Sequence, residues 1–341
     1  MGGEHAPRHH DDAPPHDGGA RVLLFDAEGE DREIGFDALD PARLAEHQIA
    51  WIDIVTDDPD ALRATLARWK LDTLPIAPLL DAKRAPVFTQ DDWWGARALS
   101  PAWDEAREIG VGAQWMLIVG PNLVITVHRR RMPFLDTLAR RDDSGSRVGQ
   151  LDADSFAAAL LDRMLTAYFD TVDAFEDRLD KLEVDILQRR IDTQHLPQLR
   201  RLRRAVSMLR RMLSSHRDLF DALVRPDFQP DWDEKVQKQF RALERRYERA
   251  VDAVENARDL VIGSYELLST RLSQRTNETM RLLTFVTVML GTLAVAAGVL
   301  GMNFKAPLFD TGGVGFWIAV GGMVAFVLLA LGVARWRGWW R

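Results

Sequence analysis

The chain reads as an α+β protein: a cytoplasmic α/β sandwich, then very long helices, then a two-helix C-terminal transmembrane hairpin. Three observations carry that reading. Leu282 to Phe304 is a charge-free stretch of 23 residues, and Thr311 to Ala334 is a second of 24. Each exceeds the ~20 apolar residues an α-helix needs to cross a bilayer core. Short strand-like runs bounded by turn residues fill the region from 21 to 150, whereas from 152 onward the apolar positions recur at helical spacing.

The elements follow in chain order. Residues 1–20 are rich in Gly, Pro, Asp and His, including His5, His9, His10 and His16. Such a tract buries too little apolar surface to fold, so a disordered tail is expected. It has no apolar core, and no signal peptide is expected. Val22 to Phe25, Trp51 to Val55, Trp93 to Leu99, Gln114 to Val119 and Leu123 to Val127 read as strands of a small sheet. Gly120-Pro121-Asn122 joins the last two as a hairpin turn. Stretches 41–47, 58–69 and 75–83 have helical spacing, with Asp57 or Asp58 as a cap ahead of Pro59.

Phe156, Leu160, Met164 and Phe169 begin a helical stripe that continues through Val172, Phe175, Leu179, Leu182, Ile186 and Leu187. Leu199, Leu202, Val206, Leu209, Leu213 and Phe220 resume it after Pro197, making 151–231 a set of long antiparallel helices. Pro226 and Pro230 bracket a turn, and Asp231 reads as a cap. No proline then occurs until Pro307. A helix from Trp232 to Asn303 would be about 108 Å long. Residues 232–304 are therefore a stalk helix running into the first span. Lys305 to Asp310 form the outer loop, 311–334 the second span, and 335–341 a basic tail.

Charge sets the orientation. Arg271, Arg275 and Arg281 precede the first span, and Arg335, Arg337 and Arg341 follow the second, whereas the loop has Lys305 offset by Asp310. Positive residues stay inside, so both termini are expected in the cytoplasm of a protein of the cytoplasmic (inner) membrane. Trp336, Trp339 and Trp340 suit an interfacial anchor. With no cysteine, disulfides and thiolate ligands are excluded. A net charge of −7 disfavours nucleic acid as a partner. No nucleophile elbow, phosphate-binding loop or H-E-x-x-H motif is present, so neither an enzyme nor an ATP-driven pump is expected, and no cofactor.

One face of the first span carries Thr287, Gly291, Ala294 and Gly298, spaced 4, 3 and 4, and extends back to Met280 and Asn277. A row of small residues marks close helix packing in membranes. It also suits a narrow lumen, although spacing alone favours packing. Asn277 and Asn303 bracket the face. Asn303 could simply cap the helix. Its neutral carbonyl could also read the water shell of Mg2+, an ion that sheds water reluctantly.

Thr276-Asn277-Glu278 followed by Met280, then an apolar helix ending in Gly301-Met302-Asn303-Phe304, resembles the CorA superfamily of divalent-cation transporters, which includes CorA and ZntB. The resemblance extends from about residue 21 to the end. It implies a funnel-shaped homopentamer in membrane lipid, with five long helices around a pore for divalent cations. Gly301, Met302 and Asn303 would form the outer selectivity ring, Asn303 holding the ion through its hydration shell. Asn277 and Met280 match the inner constriction, Leu283 a hydrophobic gate, and Glu266 an acidic pore position. Thr287, Gly291, Ala294 and Gly298 would line the lumen between.

The chain departs from the family pattern in four places. Gly291-Thr292 stands where relatives have Met-Pro, and Ala294 replaces a hydroxyl. The outer turn reads Ala306-Pro307-Leu308-Phe309 instead of an acidic motif. Phe240-Arg241-Ala242 lacks the carboxylate that serves as a regulatory ligand in some relatives. The resemblance thus implies Mg2+ transport, with Co2+ and Ni2+ as further ions, and leaves a ZntB-like Zn2+ branch open. A membrane-anchored scaffold or sensor without transport is the alternative of another class.

Overall fold

A computed structural model describes residues 20–71, 73–74, 76–80, 86–104, 109–130, 132–140, 151–188, 195–302 and 313–337. They form two compact units, the first within Met1–Asp185 and Asp192–Ser264, the second within Ile186–Ile191 and Tyr265–Arg341. The His-rich tail up to residue 19, Asn303, the outer loop Lys305 to Asp310, Trp339 and Trp340 lie outside the described residues.

The first unit is built on seven strands: β1 (Ala20–Asp26), β2 (Arg32–Ile34), β3 (Gln48–Val55), β4 (Val87–Gln90), β5 (Trp93–Asp104), β6 (Ile109–Gly120) and β7 (Leu123–His128). They lie in the order β2-β1-β3-β7-β6-β5-β4. The β3–β7 pair is parallel, with Ile52 opposite Ile125, and the other neighbours are antiparallel. Both central strands are almost continuously apolar, as a strand covered on both faces must be. The sheet is larger than the sequence suggests, because β2 and β4 span only three and four residues.

Two helices cover one face, α1 (Pro59–Arg68) and α2 (Ala77–Leu80). Leu62, Leu66 and Leu79 join a core with Val22, Leu24, Ile52, Ile54, Ile118 and Ile125. Asp58 caps α1 by accepting from the Asp60 amide at 2.9 Å, with Pro59 in the first turn. The stretch 41–47 is not a helix. Its only helical piece is a 3₁₀ turn at Pro41–Arg43, because Leu44 leaves it in extended conformation.

The other face carries α3 (Pro133–Arg140), α4 (Ala153–Gln188), α5 (His195–Ser214), α6 (Arg217–Leu223) and the start of α7 (Glu234–Leu300). Phe156 of α4 sits 5.5 Å from Phe25 and 5.6 Å from Trp51, ring centre to ring centre. The sheet is thus a middle layer, and strand alternation assigns each residue to one of its two cores. Between β6 and β7, Pro121 and Asn122 make a two-residue turn. Asn122 takes the left-handed conformation, φ 55°, which an Asn accepts more readily than most residues.

Strand β4 pairs with β5 from Gln90↔Trp93 to Val87↔Ala96, and among the described residues the farther part of that flank has no neighbouring strand. Two side chains take its place at Leu99. His216 Nε2 accepts from the Leu99 amide at 2.8 Å, and the Tyr168 hydroxyl donates to the Leu99 carbonyl at 2.9 Å.

The cap of α7 is Asp233, whose Oδ1 accepts from the Val236 amide at 2.7 Å. The expectation of Asp231 is corrected by two residues, because the turn after Pro230 continues through Trp232 before the helix starts. The second unit contains the rest of α7 and α8 (Gly313–Trp336).

Candidate functional site

The stretch of α7 beyond Tyr265 presents Glu266, Asn277, Met280, Leu283, Thr287, Gly291, Ala294 and Gly298 on exposed surface. Met280 is 61% exposed and Leu283 65%, high values for apolar side chains of this size. Within residues 282–300 the half-shielded positions are Phe285, Val286, Met289, Leu293, Ala296 and Leu300. Leu283, Thr287, Gly291, Ala294 and Gly298 each stand two residues before one of these, a rotation of about 200°. The helix therefore has a shielded stripe and, opposite it, an open stripe that holds the candidate pore positions.

At Gly291 and Gly298 an added Cβ would meet nothing within 4 Å. Neither glycine is required by a contact inside this chain. The Thr287 hydroxyl donates to the Leu283 carbonyl at 2.8 Å, so it needs no outside acceptor and keeps a lone pair for one donor. At the end of the helix the Gly301 amide donates to the Ala297 carbonyl at 2.9 Å, and Met302 is 51% exposed. The expected amide at Asn303 lies beyond the described residues.

Helix α8 has a shielded stripe of its own, Gly315, Ala319, Met323, Val327, Leu331 and Ala334, with Trp317 and Leu329 open at 70% and 67%. Among the described residues no group of three or more His, Asp or Glu could hold a metal ion. An ion beside residues 282–302 of α7 would meet small, apolar and neutral polar groups.

In the first unit, sequence reading passed over a second cluster. Asp154, in the first turn of α4, accepts from Trp94 Nε1 at 2.7 Å. Burial pushes its carboxyl up to about 6; the Trp94 bond opposes this, and Asp152 and Asp233 reinforce it. Trp94, Phe228, Trp232 and Phe240 pack around it, with Trp232 stacked on Phe240 at 4.5 Å. The indoles come from distant segments, and only the fold unites them.

A three-layer domain whose last helix continues into an apolar segment, followed by a second apolar helix, defines an integral membrane protein. Both helices are long and apolar enough to cross a bilayer. Residues 46–333 match the family described as "CorA-like Mg2+ transporter protein", and the chain belongs to that family, one of transporters and not of enzymes.

Three relatives illustrate the likeness. The cobalt/magnesium transport protein CorA of Thermotoga maritima is 29% identical over 153 residues, 45% of this chain and 43% of that protein. The divalent cation transporter CmaX of Pseudomonas aeruginosa is 31% identical over 179 residues, 50% of this chain and 53% of that protein. These matches span about half the length of each relative. The complete structure of the CorA magnesium transporter from Methanocaldococcus jannaschii has the same fold, with a TM-score of 0.71 at 19% identity over 94% of this chain and 98% of that one.

Proposed function

We propose that the protein carries divalent cations, Mg2+ foremost, across the cytoplasmic membrane through an axial pore between five copies of α7. The open stripe of α7 opposite its shielded stripe supports this reading above all else. A lone helix in lipid gains little from glycines that touch nothing of their own chain. Identical helices around an axis use them, as small positions where backbones approach and hydrated ions pass. Gly301, Met302 and Asn303 form the outer ring, where the Asn303 carbonyls read the hydrated ion. Leu283 is the gate, since a ring of apolar side chains closes a narrow lumen by excluding water. Asn277 and Met280 line the inner constriction, and Glu266 gathers cations before it. Both termini face the cytoplasm. The membrane potential contributes ~2.3 kcal/mol per charge per 100 mV, and twice that for a divalent ion, so inward flux needs no other fuel.

The test is flux of Mg2+, Co2+, Ni2+ and Zn2+ into liposomes holding the pure protein, with and without a pH gradient. Asn303→Ala is expected to abolish uptake while native mass measurement still shows a pentamer. Full uptake by that variant rejects the ring. A monomer or dimer rejects the pore and favours a membrane-anchored scaffold. A preference for Zn2+ places the chain on the ZntB-like branch, to which the missing Met-Pro pair and acidic outer motif belong as sequence support.

A further inference from the structure

The exposed faces of α4 and α5 each carry a single sign of charge. From 170 to 180 the exposed residues of α4 are Asp170, Asp173, Asp177 and Asp180, and no others. From 200 to 211 those of α5 are Arg200, Arg203, Arg204, Arg210 and Arg211. At about 100° per residue each set falls along one face of its helix. Among the described residues none of these aspartates has an ion pair, and of the arginines only Arg210 does, with Glu255 of α7 at 2.5 Å. Like charges three and four residues apart repel, so each stripe costs its own helix stability. A face that merely meets water mixes both signs, and these two faces do not.

Contacts with α7 put the two stripes at one height. Helix α4 runs parallel to α7: Thr166 accepts from Arg246 at 2.8 Å, and Glu183 accepts from the Ser264 hydroxyl at 2.5 Å. Helix α5 runs antiparallel to it: the Tyr247 hydroxyl donates to the Leu213 carbonyl at 3.2 Å, and Arg210 pairs with Glu255. Counted residue by residue from those contacts, Asp170 is level with 250–251 of α7 and Asp177 with 257–258. Arg211 is level with 249–254 and Arg204 with 256–261. Asp170 thus shares its level with Arg211, and Asp177 with Arg204.

We propose that the aspartate stripe of one copy docks on the arginine stripe of the next, a seam that joins neighbouring domains around an axis along α7. It rests on the reading of identical copies around that helix. Cyclic symmetry turns a copy about the axis without moving it along the axis. Two different patches can therefore meet all the way round only if they share a height, as these do. The chemistry suits the task. A guanidinium is planar and weakly hydrated, and it grips a carboxylate through two parallel N–H groups, which an ammonium cannot. Anionic lipid headgroups would also engage five arginines, but they would leave the level row of aspartates without a purpose.

The chain has no cysteine, so thiols can be placed at chosen positions. Asp177→Cys with Arg204→Cys, in the full chain in detergent and treated with a short bismaleimide, is expected to give a ladder of covalently joined copies on denaturing gels. Asp177→Cys with Arg211→Cys moves the second thiol about 10 Å along α5 and should join copies at least about fivefold more slowly. Native mass measurement separates the two readings. An assembled protein that gives no ladder, or equal ladders from both pairs, overturns the seam and leaves the pore standing. A monomeric wild type overturns both. Should the thiol pairs disperse a wild type that is assembled, a charge swap decides. Asp177→Arg should weaken association of the copies about tenfold, and Arg204→Asp added to the same chain should restore it. No recovery in the swapped chain overturns the seam.

Discussion

His128 is 3% exposed, yet both its ring nitrogens have acceptors: Asp53 Oδ1 at 2.9 Å from Nε2 and the Arg130 carbonyl at 2.7 Å from Nδ1. Thr126 links Asp53 to the Trp51 indole, which donates to Thr126 Oγ1 at 2.9 Å. Burial pulls the imidazole pKa down, but the bond and charge of Asp53 and the Arg130 carbonyl outweigh it and hold it above the usual 6.5. The stability from this pair is complete below 6.5 and is lost as pH rises through the raised value. His128→Gln should cost about 1–3 kcal/mol, since it takes a charged donor from the half-buried Asp53 and leaves it the Thr126 hydroxyl, and should flatten the alkaline slope of the melting temperature. Identical slopes between pH 6 and 9 would show that the pair is not charged. His216 behaves oppositely. Burial pulls it down to about 4, so its cost appears as pH falls from 6.5 towards that value. His216→Gln, which cannot charge, should lose less melting temperature on acidification than the wild type. None of these pairings was legible in sequence, because Asp53 and His128 are 75 residues apart and neither sits in a recognisable motif.

Among the elements, those with length and period were legible and the short ones were not. The α4 stripe from Phe156 to Ile186, the five apolar strands and the Pro121-Asn122 turn all have local signals that the fold respects, whereas Leu187, expected to end the stripe, is exposed because it lies about 100° around the helix from the buried Ile186. Strand β2 (Arg-Glu-Ile) has too few residues to show alternation, and β4 ends in Thr89 and Gln90; pairing with a longer neighbour makes each a strand. At 41–47 the spacing misled, because apolar residues at helical intervals also arise in a 3₁₀ turn leading into an extended segment. Capping offers a direct check on α7. Asp233→Ala should cost about 1 kcal/mol of thermal stability, whereas Asp231→Ala should stay within about 0.5 kcal/mol. Equal losses would return the cap to Asp231. Gly120 is a second check. A Cβ there would lie 2.5 Å from the Trp93 ring, so Gly120→Ala should destabilise by about 1–3 kcal/mol unless the indole swings away.

For the whole molecule, the candidate pore face is legible in the sequence as a spacing and in the chain as an exposed surface. The spacing of Thr287, Gly291, Ala294 and Gly298 fixed which face to inspect, and that face is open in the chain. On the proposed reading, its purpose depends on further copies of the chain around it. Leu283→Ala in the assembled protein should leak Mg2+ in liposomes when the wild type is closed, because shortening a ring of leucines lets water back into the lumen. Unchanged flux would remove Leu283 from the gate. One earlier detail bears on how such a molecule survives its own synthesis. The domain precedes both apolar helices, so the ribosome completes the seven-stranded sheet before either span has emerged to reach lipid. During that interval an uncovered strand flank would invite a neighbouring nascent chain to add itself. Tyr168 of α4 and His216, in the turn between α5 and α6, occupy the Leu99 peptide, and by doing so would hinder newly made copies from zipping together before the bilayer receives them.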